Sequence, residues 1–426
     1  MKPLAYGSHG PRVQFLQLAL NRSGNGPVNT DGQYGYRTAE AVRKFQRQAG
    51  IAADGVAGTR THHALQPYYT GFTTHMIGRG DTLYSIARKY HTSLRAIETA
   101  NPNARSAALH IGSLLTIPLS FPVVPTGIAW TSDVLDSVVK GLAARYPFLS
   151  TRTVGRSAMG KPLYAMTMGT GRRKVLYNAT HHANEWITTP VLLRFVEDLA
   201  SAFVRETTLH NIPAAEILST AHFTLVPCVN PDGMDLVTGF LNDGPVYNRV
   251  QQIAANYPDI PFPDGWKANI HGVDLNLQYP AAWEQAREIK FAQGYVSPAP
   301  RDYVGTAPLT QTEARAMVRL TELVSPDRIL AYHTQGEVIF PNFMDFDPPG
   351  SMSLAWRLSA ASGYDVVETP PGSAYAGYKD WFIQTYNRPG YTIEAGLGVN
   401  PLPIEDFEGI YSRNLPILVL TATLDT

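Results

Sequence analysis

The chain has 426 residues, of which 44% are hydrophobic and 16% are charged, a composition typical of folded protein and a length too great for one domain. Lys and Arg together number 35, as do Asp and Glu, so the formal net charge is zero. This balance excludes the overall basic field that holds nucleic acid or anionic lipid. We therefore expect several domains and neither a nucleic-acid nor a membrane partner.

Two local features concern the cellular location of the protein and the reactivity of its cysteine. No stretch approaches the roughly 20 apolar residues that cross a bilayer, and residues 1–7 are followed by polar residues rather than by the apolar core of a secretory signal. We therefore expect a soluble protein without an export signal. Cys228 is the single cysteine and lies in the apolar run 223–228, so we expect a packed thiol and not a nucleophile.

The first 70 residues contain a short internal repeat. Segments 31–38 and 54–61 both place a glycine turn before a threonine, Thr38 or Thr61, that can cap a helix. Apolar residues before and between the copies recur at helical spacing, so residues 1–70 are predicted to form a compact three-helix module. The module resembles the peptidoglycan-binding three-helix domain, which implies wall binding; a helical cap without a ligand is the alternative. The shared landmarks are Gly7-x-x-Gly10-x-x-Val13-x-x-Leu16-Gln17 and Asp31-Gly32-x-x-Gly35.

Residues 73–119 show a different order, which is strand, helix, helix and strand. Asp81 and Ser93 each stand where they can cap a helix, the turn 101–103 ends the second helix, and residues 114–117 can form the closing strand. The segment resembles a LysM domain, and this resemblance implies binding to glycans that contain N-acetylglucosamine. The shared landmarks are Gly80-Asp81-Thr82-Leu83-x-x-Ile86-Ala87, Asn101-Pro102-Asn103 and Gly112-x-Leu114-x-x-Ile117-Pro118.

A proline-rich stretch comes next. Three prolines fall within residues 118–125, a composition typical of a stiff extended connector, so we place a linker at residues 120–130. The remaining residues, 131–426, alternate strand-like runs such as 174–179 with helix-like runs such as 190–203. This alternation predicts an α/β domain with one large sheet flanked by helices.

Three residues of this domain form a candidate metal site. His182 and Glu185 follow a predicted strand and are three residues apart, so both can reach one cation, although such a pair alone is weak. His333 follows the predicted strand 328–332, at the edge where open α/β sheets gather their sites. Two histidines and a glutamate are a ligand set of catalytic zinc. We predict one zinc ion per chain on these three residues, with His181 outside the set because no carboxylate follows it three positions on.

A fourth polar residue, Glu394, follows the predicted strand 390–393 and is expected at the same edge. Catalytic zinc lowers the pKa of water towards about 7, and a nearby carboxylate then accepts the proton, a role that suits Glu394. With these four residues in place, most of residues 131–426 resembles the zinc carboxypeptidase (funnelin) family. No His-Glu-x-x-His stretch occurs, which excludes the thermolysin-like zincins. The landmarks in family order are His182-x-x-Glu185-Trp186, Asn230-Pro231-Asp232-Gly233, Gly272-Val273-Asp274-Leu275-Asn276, His333 and Glu394.

The substrate-binding loop departs from the family pattern. Carboxypeptidases carry Asn-Arg there, whereas this chain has Asn276 followed by Leu277. The family's arginine binds the free C-terminal carboxylate by a bidentate pair, which leucine cannot form. Strict C-terminal exopeptidase activity is therefore disfavoured. Together with the two wall-binding modules, the departure resembles the γ-D-glutamyl-L-diamino acid endopeptidases of the family, which cut peptidoglycan stem peptides between D-glutamate and the L-centre of the diamino acid.

Two other family roles have two candidates each. The family polarises the scissile carbonyl with an arginine, but the stretch 266–271 contains none, so Lys267 is the first candidate and His271 the second. The family also has a mobile tyrosine ahead of an Asp-Trp pair. Tyr375 and Tyr378 are the candidates, and Tyr375 is favoured because a glycine follows it as in the family.

Three functions therefore compete. The leading hypothesis is a zinc endopeptidase for the γ-D-glutamyl-L-diamino acid bond, brought to glycan strands and stem peptides by its two modules. The first alternative is a metallocarboxypeptidase for ordinary peptides, against which Leu277 argues. The second is a metal-free glycan-binding scaffold, which the complete ligand set disfavours. We expect the protein in the cytoplasm or, in a bacterium, associated with sporulation or the cell wall.

Overall fold

The computed structural model describes residues 3–104 and 109–425, which form two compact units with the boundary between Ser150 and Thr151. The first and last residues of the predicted domains, Met1 and Thr426, lie outside the described residues. Among the residues described, no helix combines the length and the apolar character needed to cross a membrane.

The first unit opens with three helices, α1 Pro11–Arg22, α2 Tyr36–Gln48 and α3 Thr59–Thr70. Their apolar faces meet in one core, in which Leu16 and Val42 are fully buried. Short helices of this kind are stabilised mainly by such mutual packing. The structure confirms the predicted three-helix module.

The two repeated turns of this module are held by the same set of side chains. In each copy, a buried glutamine donates to an aspartate and a threonine and accepts from a glycine N–H; the sets are Gln17, Asp31, Thr38 and Gly32, and Gln46, Asp54, Thr61 and Gly55. The amide-to-carboxylate distance is 2.9 Å in both. The prediction that Thr38 and Thr61 cap helices was wrong, because Gly35 and Gly58 occupy the N-cap positions and the threonine hydroxyls serve the glutamines.

We expect Gln46→Ala to destabilise the three-helix module by about 2–3 kcal/mol, because Asp54, Thr61 and the Gly55 N–H would lose a buried partner. Gln66→Ala is the matched control, since Gln66 is exposed on α3. Hydrogen-exchange mass spectrometry on peptides from residues 3–70 measures the change. Equal protection in the two variants would show that the glutamine network contributes no stability.

The next part of the first unit confirms the order strand, helix, helix, strand. Strands β1 Phe72–Met76 and β2 Leu114–Pro118 pair antiparallel, and between them lie helices α4 Leu83–Lys89 and α5 Leu94–Ala100. One small apolar core, which includes Ile97, joins the helices to the strands.

The caps of these two helices were predicted with mixed success. Ser93 accepts a hydrogen bond from the third N–H of α5 at 3.1 Å, as predicted. For α4 the prediction was wrong, because Thr82 is the cap and forms a reciprocal capping box with Ser85. The Asp81 carboxylate instead accepts from the Gly78 N–H at 2.7 Å, so it closes the preceding turn.

Residues 120–130, predicted to be a linker, have irregular structure and bury apolar side chains such as Trp130. The helix that follows, α6 Ser132–Arg145, packs on α3 within the first unit. A Cβ at Gly141 would lie 2.0 Å from the Thr70 carbonyl oxygen, so the close approach of these two helices requires glycine. The first unit therefore continues past the predicted linker and includes the first helix of the segment expected to form the α/β domain.

The second unit is a mixed α/β fold, as predicted. Its strands are β3 Ser150–Arg156, β4 Pro162–Met168, β5 Arg173–Ala179, β6 Thr208–Leu209, β7 Ile212–Pro213, β8 Ala221–Val226, β9 Arg328–His333, β10 Val338–Phe340, β11 Asp365–Val366 and β12 Gly390–Glu394. Its helices are α7 Thr188–Arg205, α8 Ala214–Thr220, α9 Pro231–Val237, α10 Gly244–Ala255, α11 Trp283–Ala292, α12 Thr312–Val324, α13 Ser351–Ser362, α14 Tyr378–Tyr386 and α15 Phe407–Thr423.

Among the described residues the main sheet has eight strands in the order β11-β10-β12-β9-β5-β8-β4-β3. The four central strands, β12, β9, β5 and β8, run parallel, and β10 and β4 pair antiparallel to them on either side. Parallel strands bring their carboxyl ends to one edge, so the ends of β5, β9 and β12 are neighbours. Beside this edge, Cys228 is buried, and its burial raises the pKa of the thiol to about 12, which confirms a packed thiol.

Candidate metal centre and active site

Three side chains converge at the carboxyl edge of the sheet. His182 follows β5, Glu185 ends the short 3-10 turn Ala183–Glu185, and His333 is the last residue of β9. The Nδ1 atoms of His182 and His333 are 3.1 Å apart. Glu185 Oε1 lies 3.0 Å from His182 Nδ1, and Glu185 Oε2 lies 2.9 Å from His333 Nδ1.

This geometry fits a metal ion. One ligand atom from each of the three residues lies within 4.8 Å of the other two, and the Glu185 and His333 side chains are only 1% and 2% exposed. Two ring nitrogens that face each other share at most one proton, whereas a cation between them would satisfy both and the carboxylate as well. Zinc takes imidazole nitrogen and carboxylate oxygen, so the donor set suits it.

Asp274 supports this centre, although no role was predicted for it from the sequence. Its Oδ1 lies 3.2 Å from His182 Nε2, on the side of the imidazole ring opposite to the metal-facing nitrogen. A carboxylate in this position fixes the orientation and tautomer of a ligand histidine. The two residues are 92 positions apart, so only the Gly-Val-Asp-Leu-Asn motif around Asp274 gave a signal.

His181 does not belong to the metal-ligand group, because its side chain hydrogen-bonds to and stacks on other core residues. Its Nε2 lies 2.8 Å from the Tyr279 hydroxyl, and its ring stacks on Tyr378. The side chain is fully buried, and its pKa lies well below the ordinary value because burial penalises the charged form. His181 is thus a neutral residue of the core behind the metal centre.

Glu394 lies beside the metal ligands. It ends β12, where the parallel register places it opposite His333 of β9, and its side chain lines the same cavity as His182. Burial and the nearby Glu185 carboxylate raise the pKa of Glu394 to about 8, against the opposing charge of Lys267. A carboxylate with a raised pKa is a stronger proton acceptor, so Glu394 suits general-base chemistry.

The two candidates for carbonyl polarisation are separated by the structure. Lys267 lines the cavity, and its Nζ donates to Glu185 Oε1 at 2.8 Å. His271 is exposed, hydrogen-bonds to Gln311 at 3.2 Å and does not line the cavity. The chain turns between residues 267 and 271, which carries His271 away from the metal centre. Of the two, the structure brings only Lys267 to the centre.

The substrate-loop candidates also take different positions. Asn276 lines the cavity, and its Oδ1 accepts from the Tyr378 N–H at 3.0 Å. Leu277 does not line it; its side chain is 8% exposed and packs in an apolar cluster with Trp283 and Val304. The leucine therefore supplies no cation to the cavity and also turns its side chain into the core.

We expect Leu277→Arg to destabilise the second unit by roughly 2–4 kcal/mol, because the apolar cluster around Trp283 offers no partner for a buried guanidinium. Leu323→Arg is the matched control, since Leu323 is 69% exposed on α12. Urea denaturation of the two variants measures the difference. If both unfold at the wild-type midpoint, the arginine has reached solvent or the cavity, and the packing assigned to Leu277 is incorrect.

Neither tyrosine candidate lines the cavity. Tyr378 is fully buried at the start of α14, with its hydroxyl 2.7 Å from Thr321 Oγ1, so it is a core residue. Tyr375 is partly buried and packs against Phe343. Of the two, only Tyr375 lies on a loop, and its assignment as the mobile tyrosine stays a prediction.

The cavity has a volume of about 820 Å³ and holds charged residues that sequence reasoning missed. Asp264, Arg301 and Lys379 belong to no landmark of the family resemblance, so motifs could not identify them. The other charged residues of its lining, apart from the two histidines, are Lys267 and Glu394, which were predicted from the sequence, and Asp380 of the Asp-Trp pair.

The sequence matches three family profiles: zinc carboxypeptidase at residues 135–398, a peptidoglycan binding domain at 9–65 and a LysM domain at 75–118. Gamma-D-glutamyl-L-diamino acid endopeptidase 1 of Lysinibacillus sphaericus is 43% identical over 284 residues, which cover 66% of this chain and 69% of that protein. The uncharacterized protein YqgT of Bacillus subtilis (strain 168) is 36% identical over 292 residues, 68% of this chain and 76% of its own.

Solved structures show the fold. Carboxypeptidase A from Helicoverpa armigera superposes with a TM-score of 0.53 at 15% identity, covering 92% of this chain and 87% of that chain. Thrombin activatable fibrinolysis inhibitor superposes with a TM-score of 0.55 at 16% identity, covering 83% of this chain and 98% of that chain. At such low identity the likeness concerns the arrangement of the mixed sheet and its helices.

Proposed function

The chain belongs to the zinc carboxypeptidase family, and from this premise we propose that it hydrolyses the γ-D-glutamyl-L-diamino acid bond of peptidoglycan stem peptides. It is a zinc metallopeptidase with peptidoglycan-binding and LysM domains. The observation that carries the proposal is a complete zinc site whose substrate loop supplies no arginine, with Leu277 packed in the core instead. The relative from Lysinibacillus sphaericus, named for this activity, supports the same choice of bond.

We assign the ligand role to His182, Glu185 and His333, which hold one zinc ion per chain. Zinc bound there supplies a Lewis acid, which polarises the scissile carbonyl and makes a water molecule more acidic. Glu394 accepts the proton of the attacking water and then passes it to the leaving amine. Lys267, which lines the same cavity, carries the positive charge for the carbonyl oxygen in its tetrahedral state.

The apolar packing of Leu277 favours an internal bond over a C-terminal one. A carboxypeptidase substrate ends in a carboxylate, and without an arginine on the substrate loop this carboxylate loses the bidentate partner that the family provides there. In a stem tetrapeptide, the L-centre carboxyl of the diamino acid is already an amide with D-alanine. A loop without arginine accepts this neutral group and releases the diamino acid together with D-alanine.

The first unit has the role of delivering the substrate. The profiles of its two wall-binding domains match residues 9–65 and 75–118. These domains raise the local concentration of stem peptides around the catalytic domain. The expected partners are therefore glycan strands and stem peptides, and the expected location is the bacterial cell wall, including that of the spore. The functional division into wall-binding domains at 1–70 and 73–119 and a catalytic domain within 131–426 stays a prediction.

Mass spectrometry of muropeptides tests the proposal. The purified, zinc-loaded chain is incubated with soluble tripeptide and tetrapeptide stems. Loss of the diamino acid together with D-alanine from the tetrapeptide is the expected result, and the tripeptide, which ends in a free carboxylate, should lose its diamino acid more slowly. Removal of D-alanine alone indicates a carboxypeptidase, and unchanged masses indicate a binding protein; either outcome overturns the proposal.

A further inference from the structure

The catalytic cavity contains a cation that the proposed mechanism does not use. Arg301 lines the cavity, and its side chain is 40% exposed. Its Nε donates to Asp302 Oδ2 at 2.7 Å. Within residues 3–104 and 109–425, neither Nη group of Arg301 donates to another residue, so the outer face of the guanidinium is available to a ligand.

The position of Arg301 is fixed relative to the metal centre. The carbonyl of the preceding residue, Pro300, accepts from the Lys267 N–H at 2.8 Å. The following residue, Asp302, donates its N–H to Asp274 Oδ2 at 3.2 Å, and the other oxygen of Asp274 contacts His182. Arg301 is therefore anchored on both sides to residues that touch the metal ligands.

The guanidinium geometry selects a carboxylate. Two parallel N–H groups match the two oxygens of a carboxylate, and such charge-assisted pairs are about twice as strong as neutral hydrogen bonds. Asp302 also pairs with Lys290 at 2.6 Å, so one carboxylate is shared by two cations and a net positive charge remains at Arg301. An isolated carboxylate next to the scissile bond is the complementary group.

A γ-glutamyl substrate carries such a carboxylate. When glutamate is linked through its side chain, its α-carboxyl group is outside the peptide chain and stays ionised, and its amine is acylated. The side chain of a diamino acid such as diaminopimelate instead ends in an ammonium and a carboxylate together. Lys379 and Asp380, 2.7 Å apart and both lining the cavity, match that mixed group, which leaves Arg301 for the lone carboxylate.

Resting on the proposed function, we propose that Arg301 binds the free α-carboxylate of the γ-linked D-glutamyl residue. It is a specificity residue, because it lets the enzyme distinguish D-glutamyl stems from stems in which this carboxyl is amidated to D-isoglutamine. Lysine could not fully replace it, since an ammonium group offers no planar pair of donors.

Two substrates that differ in one group test the proposal. They are the stem tetrapeptide L-alanyl-γ-D-glutamyl-diaminopimelyl-D-alanine and the same tetrapeptide with D-isoglutamine, and kcat/KM is measured with the zinc-loaded full chain. We expect the carboxylate substrate to be preferred by about 10- to 100-fold. Arg301→Gln should remove this preference by slowing the carboxylate substrate alone, and Arg301→Lys should restore part of it. Arg287→Gln is the matched control and should keep the wild-type preference, because the Arg287 side chain on α11 is 42% exposed and does not line the cavity.

A binding measurement complements the kinetics. Calorimetry with the product dipeptides L-alanyl-D-glutamate and L-alanyl-D-isoglutamine should show tighter binding of the first to wild type, and equal binding of both to Arg301→Gln. Equal kcat/KM of wild type on both tetrapeptides overturns the proposal without any variant. Equal slowing of both by Arg301→Gln also overturns it, because this is the signature of carbonyl polarisation or of lost structure.

A third substrate identifies the source of the carboxylate. Replacing diaminopimelate by lysine removes the carboxylate at the end of the diamino acid side chain and leaves the α-carboxylate of the D-glutamyl residue. If Arg301→Gln no longer slows this lysine substrate, Arg301 binds the diamino acid, and the proposal is overturned. Failure to cleave any of the three substrates refutes the proposed function itself, an outcome distinct from cleavage without discrimination.

Discussion

Glu394→Gln is expected to lower turnover by about 100-fold or more while zinc content and substrate binding stay at the wild-type level. The substitution keeps the size of the side chain but removes the carboxylate that accepts the proton. Glu394 sits opposite His333 in the sheet and lines the cavity beside the metal ligands, where the attacking water is expected. Stopped assays with stem tripeptide give turnover, and atomic absorption gives zinc content.

The control for this experiment is Glu322→Gln. Glu322 is exposed on α12 and does not line the cavity, so the variant should keep full turnover. If Glu394→Gln remained within a few-fold of wild type, another residue would be the base. Loss of zinc together with turnover would instead show that Glu394 supports the metal centre.

His333→Ala is expected to lower zinc affinity by more than about 100-fold, which exceeds the usual effect of removing a residue that only supports a ligand. His333 supplies one of three convergent ligand atoms, and two remaining ligands hold zinc poorly. His181→Ala should keep stoichiometric zinc, because the His181 side chain points at Tyr279 instead. Dialysis against a graded chelator, followed by metal analysis, measures both variants.

The two histidines are adjacent to the same centre, so the comparison is decisive. If His181→Ala lost zinc and His333→Ala kept it, the ligand assignment would be incorrect. A parallel thermal melt separates metal loss from unfolding: zinc added to wild type should raise the melting temperature, since binding stabilises the folded state, and added zinc should not stabilise His333→Ala.

The positions of His182, His333 and Glu394 were predictable because each ends or closely follows a strand. Sequence pattern identified the strands before His182, His333 and Glu394, and parallel strands in an α/β sheet must bring these ends to one edge. Glycine turns, proline and helical periodicity likewise predicted the order of elements in the first unit. Such signals are local and repeat along the chain, so they are readable without the fold.

Other features depend on contacts between distant segments. Asp274 reaches His182 across 92 positions, and the cavity face of Arg301 is set by Pro300 and Asp302, which bond to two other loops. His271 was a candidate from its place in the sequence, yet the turn after Lys267 carries it to the surface. The predicted caps Thr38 and Thr61 were wrong for a related reason. A threonine close to the start of a helix can either cap the helix or hydrogen-bond to a buried glutamine.

The register of β9 and β12 limits how this enzyme can change in evolution. His333 and Glu394 are paired across neighbouring parallel strands, so they project from the same face at a spacing fixed by the sheet. Inserting or deleting one residue in either strand would turn every later side chain to the other face and separate base from ligand. Length changes are therefore better tolerated in the loops beyond the strand ends, where substitution or loop growth can alter substrate preference while the pair keeps its spacing.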